Sequence, residues 1–270
     1  MRVTFVGGGN MGAAIIGGLV ARGFAAADIT VIEPGAAARE SLSARFGVAV
    51  REAAGPGLPA ADTLILAVKP QQMREAVLPL LPLAPSTLVV TIAAGIRIAD
   101  LSRWLGGHAA IVRAMPNTPA LVHAGVTGLF APPAVDAEGR QRAESLLGAV
   151  GETVWLPEEG DLDAVTAVSG SGPAYVFYFI EALERAGREL GLAPEAARKL
   201  ALATFAGATR LALERGEDPA VLRAQVTSKG GTTERALAEM EKAALMARFV
   251  EAVKAACARS RELGEQFGRD

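Results

Sequence analysis

Followed along its apolar and polar positions, the chain changes character once. The runs RVTFV (Arg2 to Val6), ITVIE (Ile29 to Glu33), TLILAV (Thr63 to Val68), TLVVTIA (Thr87 to Ala93) and AIVRAM (Ala110 to Met115) predict strands. Their richness in Val, Ile and Leu suits a parallel sheet covered on both faces. Between them, Met11 to Gly23 and Ala36 to Phe46 read as helices. Strands alternating with helices imply right-handed crossovers and a doubly wound α/β sheet. After GETVWLPEEGDLD the pattern switches, and from Asp161 onward it is helical throughout. The division is placed at Pro157, giving an α/β domain over 1–157 and a helical domain over 158–270. Within the second, Tyr175 to Leu183 is apolar nearly all round. Such a helix is expected to be buried on every side, and in so small a half that points to a partner subunit.

Candidate chemistry begins at the end of the first strand. Gly7-x-Gly9-x-x-Gly12 follows a predicted strand and opens a predicted helix. The first glycine makes a tight turn, the second lets a pyrophosphate approach the backbone, and the third packs the helix closely on the strand. The helix N-terminus adds free N–H groups and the positive end of a dipole. Glu33 ends the next strand about 20 residues on, where a carboxylate can accept hydrogen bonds from an adenosine ribose. It would repel a 2′-phosphate, which favours NADH, although Arg39 lies close in sequence. Three further loops fall at predicted strand ends, where ligands of open α/β sheets bind: AVKP (Ala67 to Pro70), AAG (Ala93 to Gly95) and MPNTP (Met115 to Pro119), with Asn117 and Thr118 as hydrogen-bonding groups.

The helical half contains SGSGPAY (Ser169 to Tyr175) and TSKGGTTERAL (Thr227 to Leu237), each read as hydroxyls and glycines immediately before a helix. Successive N–H groups at such a place form an anion nest suited to a carboxylate. Oxidation of an alcohol needs a general base, and the two histidines, His108 and His123, fall in no catalytic pattern. A protonated imine accepts hydride directly and needs no such base.

Composition narrows the partners. A net charge of −2 gives no electrostatic reason to expect nucleic acid or an anionic membrane. The early Arg2 and the apolar run after it could pass for a leader, but glycines and Asn10 interrupt that run. The single cysteine, Cys257, fits a reducing compartment, and a cytoplasmic location is expected. No metal site is expected.

Taken together, GGGNMG, AVKP, AAG, MPNTP, DAVTAVSGSGPAY and TSKGGTTERAL resemble the pyrroline-5-carboxylate reductase family nearly end to end. The resemblance implies an N-terminal Rossmann domain and a C-terminal helical domain that dimerises, with dimers gathered into a larger ring such as a decamer. It implies NADPH or NADH as cofactor, bound at Val6, Gly7, Gly8, Gly9, Asn10, Met11, at Ala67, Val68, Lys69, Pro70 and at Ala93, Ala94, Gly95, with Glu33 added from the fingerprint. It implies a small-molecule substrate held by Glu159 and by Ser228, Gly230, Gly231 and Thr232, with Thr233 beside the ring nitrogen as the catalytic hydroxyl. Relatives often carry proline where this chain has Lys229, and many place an asparagine near the position of Ala54. Two other readings remain open: a β-hydroxyacid dehydrogenase, for which Lys199 lies outside any glycine motif, and a non-catalytic dinucleotide sensor.

Overall fold

A computed structural model describes residues 1–55 and 58–268. The chain forms two compact units, one of Met1–Ser171 together with the chain from Ala256 onward, the other of Gly172–Ala255.

The first unit is built on an eight-stranded sheet. Its strands are β1 (Val3–Val6), β2 (Ile29–Ile32), β3 (Ala49–Arg51), β4 (Thr63–Leu66), β5 (Leu88–Thr91), β6 (Ile111–Met115), β7 (Gly125–Phe130) and β8 (Gly151–Trp155). They lie in the order β3-β2-β1-β4-β5-β6-β7-β8. The first six reproduce the strand order of a doubly wound dinucleotide fold, in which the order reverses beside β1. Every residue of β1, β2, β4 and β5 is buried, as expected of strands with helices on both faces.

Successive side chains feed two different cores. Val3 and Phe5 point into the cluster with Ile15, Ile16, Leu19 and Leu42, which come from α1 (Asn10–Ala21) and α2 (Ala36–Phe46). Val6, Leu64 and Leu66 point into the opposite cluster, with Met73 and Val77 of α3 (Met73–Val77) and Leu101 and Trp104 of α4 (Ile98–Trp104).

The sheet departs from the expected parallel arrangement at one edge. β7 runs antiparallel to β6, pairing Arg113 with Phe130, and β8 returns parallel to β7 after α5 (Ala137–Leu147). β3, β7 and β8 were not among the expected strands. β3 has three residues, β7 (GVTGLF) is interrupted by a glycine, and β8 (GETVW) alternates half-buried with exposed positions. None of them presents the unbroken apolar run that marks a strand inside the sheet.

Beyond the sheet the described residues are helical: α6 (Asp161–Val165), α7 (Gly172–Glu189), α8 (Pro194–Arg215), α9 (Pro219–Gln225), α10 (Thr232–Lys242) and α11 (Leu245–Phe267). Helix α11 begins in the second unit and ends in the first. Within the second unit, Tyr175 and Phe179 of α7 each meet Phe249 of α11 edge-on at 5.6 Å. No residue of α7 is buried in the single chain, and Phe177 and Tyr178 are 65% and 69% exposed.

Candidate functional site

The cleft is built by the close approach of two backbones. Gly7 turns the chain at the end of β1 with φ +98°, and a Cβ there would lie 2.7 Å from the carbonyl oxygen of Ala67. Helix α1 starts at once, and a Cβ on Gly12 would lie 2.8 Å from the carbonyl oxygen of Gly7. Only glycines allow strand β1, the end of β4 and the first turn of α1 to come this near. By contrast, a Cβ at Gly9 would meet nothing within 4 Å, so open space lies in front of the helix N-terminus.

That space is a cavity of about 540 Å³ lined by Val6, Gly7, Gly9, Glu33, Ala67, Val68 and Lys69, together with Glu52, Ala53 and Ala54. It is of the size that holds cofactors, with a helix N-terminus aimed into it. The residues present fit the pyrophosphate and ribose of a dinucleotide. Gly8, Asn10, Met11 and Pro70 are not among this lining: the Gly8 N–H is taken by Glu33, Asn10 faces a separate hollow with Leu121 and His123, Met11 packs against the core cluster of α1 and α2, and Pro70 opens a 3₁₀ turn over Pro70–Gln72. Ala93 to Gly95 follow β5, the next strand but one, and Gly95 lines another cavity, of about 320 Å³, with Arg97, Arg113 and Glu159.

Glu33 is half-buried and engaged on both oxygens. Oε2 accepts the Gly8 N–H at 2.8 Å and Oε1 accepts the Gly35 N–H at 2.9 Å, so the carboxylate ties the fingerprint to the turn before α2. Arg39 faces the backbone: Nη1 donates to the carbonyls of Glu33 at 2.8 Å and Pro34 at 2.7 Å, while Nη2 lies 3.5 Å from Glu52.

Glu159 is engaged through one oxygen. Its Oε1 accepts from Arg113 Nη1 at 2.7 Å and from the Ile98 N–H at 2.8 Å, joining the chain before α6 to β6 and to the start of α4. Arg113 is only 8% exposed, and no sequence spacing signals a partner 46 residues away. Asn117, 8% exposed, is used at both ends, accepting from Val126 N–H at 2.9 Å and donating to the Ser169 carbonyl at 3.2 Å. Of the histidines, His108 donates to the Thr87 carbonyl at 2.8 Å and His123 is exposed.

The two glycine-rich stretches of the helical half differ. Ser169 to Tyr175 is no free helix start. Thr166–Gly170 is a π-helical turn that carries α6 on into α7, in which Thr166 and Ser169 donate back to the carbonyls of Leu162 and Val165 at 2.7 and 3.0 Å. Hydroxyls at such positions satisfy carbonyls one turn back, so the expected anion nest is not formed there. Gly170 serves packing, since a Cβ would lie 2.6 Å from Met115 Cε.

Ser228 to Gly231 does precede a helix, α10, with Gly231 as its N-cap and Ser228, Gly230, Thr232 and Thr233 exposed in the second unit. The Gly231 N–H donates to the Ser228 carbonyl at 3.0 Å, closing the turn. Glu234, absent from the expected residues, reaches back to the Gly230 N–H at 2.6 Å. A glutamate three residues past an N-cap is a capping signal that the sequence does carry.

A sheet that opens at a glycine turn onto a dinucleotide-sized cleft, followed by a helical unit, is the architecture of a nicotinamide-dinucleotide-dependent oxidoreductase. Residues 2–95 match a family described as "NADP oxidoreductase coenzyme F420-dependent", and residues 159–263 match one described as "Pyrroline-5-carboxylate reductase dimerisation". The pyrroline-5-carboxylate reductase of Pseudomonas aeruginosa is 46% identical over 99% of this chain and 98% of its own. The solved pyrroline-5-carboxylate reductase of Coxiella burnetii superposes with a TM-score of 0.90 at 40% identity, covering 97% of this chain and 98% of that one. A pyrroline carboxylate reductase from Plasmodium falciparum, solved with NADP bound, gives 0.86 at 28% identity over 98% of both chains. The chain belongs to the pyrroline-5-carboxylate reductase family.

The Glu159 geometry carries its own expectation. Glu159→Ala leaves the buried Arg113 guanidinium without its carboxylate, and is expected to lower unfolding stability by about 1–3 kcal/mol. Thermal melting in the absence of any ligand checks this, and an unchanged melting temperature would show that the pair is not structural.

Proposed function

We propose that the chain reduces 1-pyrroline-5-carboxylate to L-proline, the last step of proline synthesis, with Thr233 and Ser228 to Thr232 acting on the substrate. The observation that carries this is the start of α10 after the Ser228–Gly231 turn: the Gly230 and Gly231 N–H groups are taken by Glu234 and the Ser228 carbonyl, and the first-turn amides at Thr232 and Thr233 are the donors offered to a small carboxylate. The 46% identity to a curated reductase over the whole chain supports the same reading, and membership of that family sets it above the dehydrogenase and sensor alternatives.

The reduced nicotinamide, when bound, supplies the hydride. The residues of this chain do the rest: Ser228 and the amides around Gly230 to Thr232 fix the carboxylate, Glu234 being the group that must yield the Gly230 N–H to it. Thr233 orients the ring nitrogen, which passes from a protonated imine to an amine as the ring carbon gains hydride. Threonine is a poor acid, so Thr233 orients or relays and does not drive the step. Glu159 is retained as a substrate-side residue that acts from within its pair with Arg113. Val6 to Met11, Glu33, Ala67 to Pro70 and Ala93 to Gly95 hold the dinucleotide. In domain terms, 1–157 binds dinucleotide, and 158–270 binds substrate and dimerises. The lone Cys257 suits a reducing, cytoplasmic setting.

Thr233→Ala is expected to reduce kcat/KM roughly ten-fold, since a lost hydrogen bond costs ~0.5–1.5 kcal/mol and more when its partner is stranded. Ser228→Ala should act mainly on KM, because the carboxylate is held alike in ground and transition states. The assay is consumption of reduced nicotinamide on adding pyrroline-5-carboxylate. No turnover by the unmodified enzyme with either cofactor would end the reading.

On the cofactor, NADH is expected to serve at least as well as NADPH. Glu33 already occupies the Gly35 amide at the turn before α2, and Arg39 is spent on carbonyls and Glu52. A 2′-phosphate would meet a carboxylate there, with the Arg39 guanidinium already engaged. Glu33→Ser is expected to move the kcat/KM ratio toward NADPH by roughly ten-fold. An unmoved ratio would remove Glu33 as the selector.

On assembly, the helical unit is proposed to form a homodimer, with dimers gathered into a ring such as a decamer. The support is the apolar surface left open on α7 and a hollow of about 820 Å³ lined by Phe179, Met240, Met246, Phe249 and Val250. Sedimentation is expected to give a dimer or a multiple of it at micromolar concentration, and a stable monomer would refute the proposal.

A further inference from the structure

The last turns of α11 close on the loop that follows β5. Gly95 is buried at φ +80°, and a Cβ there would lie 3.1 Å from Cδ2 of the Phe267 ring and 3.5 Å from the Gly264 nitrogen. From the opposite side, a Cβ on the buried Gly264 would lie 3.2 Å from the Gly95 carbonyl oxygen. Helix and loop therefore meet backbone to backbone, with the phenylalanine ring seated over the glycine.

This contact is anchored on three sides. Phe267 packs against the core cluster containing Ile96, Leu101 and Trp104. Arg103 of α4 donates to the Gly268 carbonyl at 2.9 Å and pairs with Asp100 at 3.1 Å. One turn earlier on α11, Ser260, 5% exposed, donates to Asp163 of α6 at 2.6 Å. The loop itself is pinned at its ends, by the Ile92 N–H on the Leu66 carbonyl at 3.1 Å and the Ile98 N–H on Glu159 at 2.8 Å. Its middle, Ala93 to Gly95, has the end of α11 behind it.

We propose that Gly264 and Phe267 are positioning residues: the C-terminal turn of α11 holds the Ala93–Gly95 loop in the shape that receives the reduced dinucleotide. This rests on the reading of Ala93 to Gly95 as a cofactor contact. The physical basis is preorganisation. A small misplacement of a binding loop is costly when nothing else holds it, and a residue outside the site can set its position by packing alone. Gly264 gives the helix its closest approach to the loop carbonyl. Phe267 fills the space over Gly95, where any side chain on residue 95 itself would collide and would be strained at positive φ.

The test uses the full chain, with dissociation constants for NADH and NADPH from fluorescence titration, steady-state kinetics, and thermal melting as a check on folding. Phe267→Ala is expected to raise Kd and KM for the reduced cofactor roughly five-fold, with KM for pyrroline-5-carboxylate changing less than about two-fold. Phe267→Leu, which refills most of the volume, is expected to restore cofactor affinity. Gly264→Ala, which pushes on the Gly95 carbonyl, should weaken the cofactor in the same selective way and serves if Phe267→Ala does not fold. Ala94→Asp tests the loop directly by adding charge beside a bound pyrophosphate. If Ala94→Asp leaves cofactor Kd unchanged, the loop is not a cofactor contact and the proposal falls with that reading. If Ala94→Asp weakens the cofactor while the Phe267 and Gly264 variants bind it normally, the loop reading stands and the positioning role is overturned. Equal losses for cofactor and substrate in Phe267→Ala would likewise show a general structural role.

Discussion

The contact between Gly7 and Gly12 is the constraint on which the dinucleotide unit depends. With a Cβ at Gly12 only 2.8 Å from the Gly7 carbonyl, helix α1 can begin directly at the end of β1, with its first N–H groups facing outward. A larger residue would push the helix away and close the space into which those groups point. The same approach fixes the end of β4, because Gly7 lies equally close to the Ala67 carbonyl. Burial then makes the arrangement rigid: β1 has a buried residue at every position, and each strand neighbour is fixed in register, Val3 against both Ile29 and Thr63.

Along the carboxyl edge of the sheet, polar side chains do for the remaining loops what glycine does at the first. Glu33 holds the fingerprint to the next turn, Glu159 joins Arg113 and the start of α4, and Asn117 joins β7 to the π-helical turn. Arg113 and Asn117 are buried and satisfied, which is the condition under which such groups stabilise loops instead of weakening them. Glu159 is anchored through Oε1 alone, to Arg113 and to the Ile98 N–H, which fixes where the carboxylate stands. That is why Glu159 is best understood through its pair with Arg113, with any effect on substrate passing through that geometry.

The helical unit has the opposite character. Its apolar residues are many, yet α7 buries none of them in a single chain, and Leu200, Leu213 and Val226 are exposed as well. Isolated helices gain most of their stability from packing an apolar face. This uncovered apolar surface lies within the stretch, residues 159–263, that matches the family described as "Pyrroline-5-carboxylate reductase dimerisation". The last turns of helix α11, from Ala256, belong to the first unit.

The sequence by itself determined the inner strands, helix α2 and the position of the fingerprint, because each is coded locally. Short runs rich in Val, Ile and Leu and bounded by turns fit buried strands, and glycines at fixed spacing after such a run mark the turn into a helix. The capping glutamate Glu234 was also legible, as a spacing from the N-cap. Tertiary structure alone decided the outer strands β3, β7 and β8, whose half-polar or glycine-broken sequences become strands through hydrogen bonds to distant partners. It decided that Ser169 and Gly170 end a π-helical turn packed on Met115, and that packing divides after Ser171 and not at the change of pattern near Pro157. It also decided the pairing of Arg113 with Glu159 and of Gly95 with Phe267, residues far apart in the chain. Local propensity is written in neighbouring residues, whereas close approach between distant backbones exists only once the chain has folded.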